Sequence, residues 1–562
     1  MPLDTNAFWV LVWVAIPAVT QAQNPPTRPS GPNSSLTSAP VGRYQLPPIS
    51  TPDSADKQDI DKSNPITVVQ IAFRGNKALR TSALQVVAAE YLGKQLTPAD
   101  IEELRVALTR QYTDRGYINS GVILDPSAPY HDGKLSFLAI EGHIKEVRVH
   151  GLKHLHAAYV VDRLRGASDE VLNTNLLRER FQGLLDDPLF ARINSRIEPG
   201  AELGEAILDV DVERARPYSV SVALNNYRPP SIGEKAYDVA GAMRDLTGWG
   251  DVIDADVTGP IEFSGGVGYS VDWQVPLNHY GTQAAISAAR SQAVITEEPL
   301  APLDIRSRID RTEFRLTQPI VATVAQQFKI GVGISRETDA TTLAEEPFSF
   351  LPGAENGLTR SNTIRVVPDY SYRTEHQFLG IRVTWLHAAL LDQSSEPVAY
   401  SRPSPRYQVW TGQVHYLWEF SPLPFEFESR ATVQYTDSII SDLHELEIGG
   451  INSVRGFRED EILLSNAKNL NFDLRWLALP AGKSFRPGLT LGTFFDWAKG
   501  YNIGEPTDKS TFSSCGFTAR AKWQHVQADF AYGIPLIKPG FVNQQHGSWQ
   551  DHGIHAQIAT TF

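Results

Sequence analysis

From about residue 217 onward the chain is written in period two. In "FEFESRATVQY" (425–435), Phe425, Phe427, Ala431, Val433 and Tyr435 point one way, and Glu426, Glu428, Arg430, Thr432 and Gln434 the other. "LNFDLRWL" (470–477) sets Phe472, Leu474 and Trp476 against Asn471, Asp473 and Arg475 in the same manner. Successive side chains of a strand face opposite sides, so each such segment is a strand with one apolar and one polar face. A soluble sandwich also alternates, with a core on one side and water on the other. Alternation by itself leaves both architectures open.

Loop lengths separate them. Alternating segments lie near 219–226, 236–246, 251–259, 266–276, 281–290, 307–320, 326–337, 361–373, 376–390, 407–420, 425–437, 468–479, 487–498, 512–523, 525–535 and 552–562, sixteen in all. Connections after odd-numbered segments are mostly long (291–306, 338–360, 391–406, 438–467), and those after even-numbered ones mostly short (247–250, 277–280, 421–424). This is the asymmetry of an outer-membrane barrel, with tight periplasmic turns and longer external loops. Closure into a barrel removes the open edges that lipid would not tolerate. The even count returns the C-terminus to the side where the barrel began, so the residues before 217 are expected in the periplasm. In the last segment, "GIHAQIATTF", Ile554, Ala556, Ile558, Thr560 and Phe562 share one face. An aromatic residue ending an amphipathic strand is similar to the assembly signal of bacterial outer-membrane proteins, which implies the barrel-assembly machinery as a partner during biogenesis.

Ahead of the barrel, two similar units run through residues 66–142 and 143–216. The first opens with "ITVVQIAFRGN" (66–76), continues through an apolar helix near 81–92, and reaches a second helix with clear start signals. Thr97 is its N-cap, Pro98 its first residue and Asp100 an approximate capping box, and Ile101, Leu104, Leu108 and Tyr112 form one stripe. Gly116 ends it, and "YINSGVIL" and "KLSFLAIEG" close the unit. The second unit repeats the order with strand 143–151, helices near 155–165 and 174–186, and strands near 191–198 and 205–214. Gly75 and Gly151 mark equivalent strand ends. The pattern is β-α-α-β-β, twice.

At the N-terminus "FWVLVWVAIPAV" (8–19), followed by Thr20-Gln21-Ala22, has the length and small-residue ending of a secretory leader, cleaved after Ala22. Its first residues depart from the pattern, carrying Asp4 and no Lys or Arg. Residues 23–65 hold nine prolines and no apolar periodicity, and are expected to act as a tether. A net charge of -13 without a basic run excludes a general nucleic-acid binder. Cys515 is the only cysteine, which rules out an intrachain disulfide and a thiolate metal cluster. No metal or other cofactor is expected.

The connection 438–467 carries "GGINSVRGFRED" (449–460), with Val454-Arg455-Gly456-Phe457 at its centre. Taken alone, that tetrapeptide is compatible with an ordinary surface turn. Together with "DRGYINSGVILDP" (114–126), "EGHI" (141–144), "IEPG" (197–200), "ALNNYRPPSIG" (223–233) and "GTFFDWAKG" (492–500), it resembles the two-partner secretion outer-membrane transporters of the haemolysin and filamentous-haemagglutinin exporter type, over residues 66–562. The resemblance implies two periplasmic POTRA domains, a sixteen-stranded antiparallel transmembrane barrel, and a sixth external loop folded into the pore. In that family the loop arginine pairs with an aspartate in a Phe-x-Asp pattern on the thirteenth strand, here Phe494-Phe495-Asp496. Parity agrees independently: if Leu491, Phe495 and Trp497 face lipid, Phe494 and Asp496 face the lumen. Asp473, on the lumen face of the neighbouring strand, is either a second acceptor or a solvated pore residue. Members of the family often lodge an N-terminal helix in the pore, and the proline-rich 23–65 departs from that.

What the resemblance implies is export, without ATP, of a large exoprotein with an N-terminal secretion domain, from periplasm to cell surface through the barrel. The rivals are an outer-membrane assembly factor of the same superfamily and a diffusion porin. An enzyme is not expected, because Gly-x-Ser-x-Gly and His-Glu-x-x-His patterns are both missing and His444-Glu445 has no second histidine four residues on. The scattered histidines read as structural or solvated, and Gly449 and Gly450 as serving loop geometry.

Overall fold

Helix Pro98–Thr113 begins where its cap residues place it: the Thr97 hydroxyl accepts from Asp100 N at 3.3 Å, and Asp100 Oδ2 accepts from Thr97 N at 2.7 Å. The expected stripe of Ile101, Leu104, Leu108 and Tyr112 is buried against the first unit's sheet. In that sheet, strand Gln70–Arg74 pairs parallel with Lys134–Ile140, which pairs antiparallel with Gly121–Leu124. The second unit repeats the arrangement with His143–His150, Glu205–Arg214 and Phe190–Pro199, covered by helices Ala157–Arg165 and Thr174–Leu185 around a separate core. Gly75 and Gly151 have φ of +79° and +85°, and a Cβ on either would strike a carbonyl of the unit's last strand, Ala139 O or Val212 O. The same steric demand at the same place explains why both repeats put glycine there. Thr174 donates through N and Oγ1 to Gly116 O at 2.9 and 3.0 Å, linking the two repeats.

The computed structural model describes residues 65–562 apart from 167–169, 186, 263–264, 351–353, 392–401, 480–487, 505–509 and 540–546. The expected leader at 1–22, and the tether at 23–65 up to residue 64, lie outside the described residues.

Sixteen long antiparallel strands close into a barrel, the first, Tyr218–Asn225, pairing with the last, Ile554–Thr561. Parity sorts their faces as the alternation requires. Phe472, Leu474 and Trp476 are exposed on the outside of the twelfth strand, Asn466–Leu479, whereas Asn471 and Asp473 are buried within. The interior is polar and paired across strands: Arg365 bridges Glu313 and Glu337, each at 2.9 Å, and Arg382 meets Asp369 at 2.7 Å.

Several strand ends differ from the sequence reading by a few residues, and two of the differences have a plain physical cause. The sixth and seventh strands, Ile305–Ala322 and Gln326–Leu343, are 18 residues each and continue as a paired ribbon where a loop was expected. At about 3.3 Å per residue they outrun the ~25 Å apolar band, and the surplus pairs through polar residues such as Arg308, Asp339 and Thr341 that carry no lipid signal. The last strand starts at Ile554 rather than near 552, because Gly553, at φ +73°, ends a short turn over Gln550–His552.

Candidate functional site

The connection between the eleventh strand, Phe425–Tyr435, and the twelfth folds into the barrel. It builds a small hairpin, Leu446–Ile448 against Ile462–Leu464, and a core of its own in which Val454 and Phe457 pack with Leu446, Ile448, Leu464 and wall residues Ala467, Ala498 and Phe512. Phe457 meets Phe512 edge-on, with ring centroids 5.1 Å apart. This apolar contact fixes the hairpin against the wall and leaves its tip to aim one side chain.

That side chain is Arg455. Its Nε and Nη2 donate to the two oxygens of Asp496 at 2.8 and 2.7 Å, and its backbone N donates to Asp496 Oδ2 at 3.0 Å. Its Nη1 and Nη2 donate to the two oxygens of Asp473 at 2.7 and 3.1 Å. One planar cation is thus bidentate to two carboxylates. Asp496, on the thirteenth strand Gly488–Tyr501, registers with Asn471, and Asp473 registers with Phe494, so the carboxylates are diagonal neighbours on one lumen face. Side-chain exposures of 4% for Arg455, 1% for Asp473 and 0% for Asp496 make the cluster dry. The guanidinium carbon also lies 3.7 Å from the centroid of the Phe494 ring, a cation–π contact. The structure thus brings Arg455 together with Phe494 and Asp496, and places Asp473 within hydrogen-bond reach of the same guanidinium.

Glycines let the pieces approach. Gly456 has φ +91°, and a Cβ there would meet Gly533 C at 2.8 Å, on the fifteenth strand Val526–Ile537. Gly516 leaves room for the Phe494 ring, whose tip a Cβ would meet at 2.6 Å. Gly449 and Gly450, at φ +115° and +88°, lie under the returning Arg458 and Glu459, where side chains would collide. They serve loop geometry, as the sequence reading has it.

Several contributors escaped that reading. Asn471 donates to Asp496 Oδ1 at 2.8 Å and also to Ser453 O, tying carboxylate and loop together. His444 falls on the structural side of its two readings, and its partners are new: Tyr407 Oη lies 2.6 Å from its Nδ1, and Glu337 of the seventh strand 3.0 Å from its Nε2. Arg458 holds two further carboxylates, Asp551 and Glu297. Phe562 sits one residue past the last strand, its backbone N donating to Val220 O at 2.8 Å, with its side chain exposed.

The sequence model of the family described as haemolysin secretion/activation protein ShlB/FhaC/HecB matches residues 204–509, and that of the ShlB-type POTRA domain matches 66–142. The chain is 21% identical over 505 residues to the heme/hemopexin transporter protein HuxB of Haemophilus influenzae, covering 84% of this chain and 83% of the relative. It is 23% identical over 424 residues to the outer membrane transporter CdiB-2 of Burkholderia pseudomallei, covering 72% and 69%. Among solved structures, CdiB from Escherichia coli matches with a TM-score of 0.70 at 17% identity, over 92% of this chain and 94% of that one. At that identity the likeness speaks for the fold.

Proposed function

Because the chain belongs to the haemolysin secretion/activation family, whose members are outer-membrane transporters of secreted exoproteins and not enzymes, we propose that its Arg455 clamp is the latch of an export channel. The observation that carries this reading is the guanidinium shared between Asp496 and Asp473, with all three groups out of water. Held there, the loop occupies the polar interior; released, it leaves a passage for an extended chain. Breaking a buried pair by removing one partner costs about 3–5 kcal/mol, enough to keep a resting channel shut yet within reach of a binding substrate.

In this reading the leader at 1–22 delivers the chain to the periplasm, and Phe562 with the last strand is recognised there by the barrel-assembly machinery. The repeats at 66–142 and 143–216 then receive the unfolded exoprotein through its N-terminal secretion domain. Their three-stranded sheets leave edges such as Gly121–Leu124 that an extended peptide can augment without a fixed sequence. Transport uses no ATP at this membrane, and folding of the emerging exoprotein supplies direction.

The test compares proteins released by the wild-type strain, a deletion strain and one carrying Arg455→Ala. Deletion should remove one large exoprotein from the medium without changing small-solute uptake. The variant should assemble as a heat-modifiable barrel and secrete poorly, because a loop that cannot return to its latched position lies loose in the passage instead of being released in step with substrate binding. Wild-type secretion by it would end the latch reading.

A further inference from the structure

The inward loop carries a second buried arginine, three residues beyond the first, and it reaches away from the Arg455 clamp. Arg458 Nε and Nη2 donate to the two oxygens of Asp551 at 2.5 and 2.8 Å, and Nη1 donates to both oxygens of Glu297 at 3.0 and 3.1 Å. Its side chain is 8% exposed. Neither partner is on a strand. Glu297 lies between the fifth and sixth strands, Gln283–Val294 and Ile305–Ala322, and Asp551 in the short turn between the fifteenth and sixteenth. Both belong to external connections.

The neighbouring residue extends the tie to a third such connection. Glu459 N donates to Gln550 Oε1 at 2.8 Å, and Gln550 Nε2 donates to Asn226 O and Arg228 O at 2.5 and 2.8 Å, between the first and second strands. Asp551 is itself fixed by Gly547 N and Ser548 N, each at 3.1 Å. Residues 458 and 459 thereby draw together external connections one, three and eight, which lie far apart in the sequence. Arg455, by contrast, donates its guanidinium hydrogen bonds to barrel wall on the twelfth and thirteenth strands.

We propose that Arg458 is a second, outer lock on the same loop: it closes the extracellular mouth by clamping Glu297 to Asp551, and its hold on the loop adds to that of the Arg455 latch. The inference rests on the reading of the inward loop as the channel's closure. It assigns Arg458 as a positioning residue whose positive charge, more than its bulk, holds two acidic connections together. Without it, Glu297 and Asp551 face each other as like charges and repel.

Planar-bilayer conductance of the purified full-length chain tests this, with heat-modifiability on gels as the check that each variant is a folded barrel. Arg458→Gln should raise the open fraction roughly tenfold or more, since it unpairs two carboxylates. The double variant with Arg455→Ala should be open more than either single variant. The swap Arg458→Glu with Asp551→Lys should close the channel part of the way again, which a purely steric role would not do. Should Arg458→Gln fail to fold, Glu297→Gln removes one anchor without leaving a new unpaired charge, and a smaller rise is expected. Wild-type currents from the folded Arg458→Gln or Glu297→Gln barrel would overturn the proposal, as would a double variant no more open than Arg455→Ala. Wild-type currents from Arg455→Ala alone, with Arg458→Gln open, would instead remove the inner latch and leave the outer lock standing.

Discussion

At position 455 the demand is for one flat cation that satisfies two carboxylates at once. An ammonium at the same place is a point charge that cannot pair bidentately with Asp496 and Asp473 together, so Arg455→Lys keeps the charge and loses the geometry. The expected outcome is a secretion defect of roughly tenfold, nearer to Arg455→Ala than to wild type, read as exoprotein in the medium per folded barrel. A second prediction concerns the turn beside it. Gly456→Ala puts a Cβ at φ +91° against the Gly533 backbone, a strain of about 1 kcal/mol or more before the clash is counted. The tip should lift, exposing the 449–460 segment to protease added outside intact cells at a rate wild type does not show. The Arg455–Asp496 pair was legible in the sequence because the family resemblance implies the partner and strand parity agrees by turning Asp496 inward. The partners of Arg458 were not, since Glu297 is 161 residues away and lies on a connection that has no period to read.

Among the elements, strands and helices with a regular repeat were the readable part. Gly75 and Gly151 were readable as equivalent because both repeats impose the same close approach on a neighbouring carbonyl. The ribbon formed by strands six and seven was not, because outside the bilayer its side chains lose the lipid contrast that defines an alternating segment. The second repeat also carries a pH signature. The Arg196 guanidinium, donating to Asp209 Oδ2 at 2.6 Å, and then His150, 2.8 Å from Oδ1, hold the Asp209 carboxyl below the usual carboxylate range. A carboxyl lowered in the folded state contributes stability above its unfolded value of about 3.9, and that contribution is lost as pH falls through the folded value. Glu205, lowered chiefly by Lys145, acts in the same direction. The fragment 65–216 should therefore lose thermal midpoint on acidification below about pH 4, and Asp209→Asn should flatten that fall while lowering the midpoint at neutral pH. Melting curves followed by circular dichroism across the acidic range check both; identical pH profiles for the two fragments would refute the assignment.

For the whole molecule the question is which way a chain leaves the barrel. The first and last strands share five registered pairs, from Ser221–Thr561 to Asn225–Gln557, whereas the sixth and seventh share seventeen. The seam is therefore a weak line, and a sideways exit through it competes with passage along the interior. Opening the seam leaves backbone groups unpaired in hydrocarbon, at several kcal/mol each, while moving the loop exchanges its bonds for water in a wet interior. Passage along the interior is the lower-cost route. With Cys515 replaced by serine, cysteines at the registered pair Ala223 and Ala559 would staple the seam, and cysteines at Ser453 and Asn471 would staple the loop to the wall. Secretion should continue through the oxidised seam staple. It should stop with the oxidised loop staple and return on adding dithiothreitol. The opposite pattern, an inert loop staple and a blocking seam staple, would mean that the substrate leaves sideways, and the Arg455 clamp would then be a brace for the wall instead of a latch.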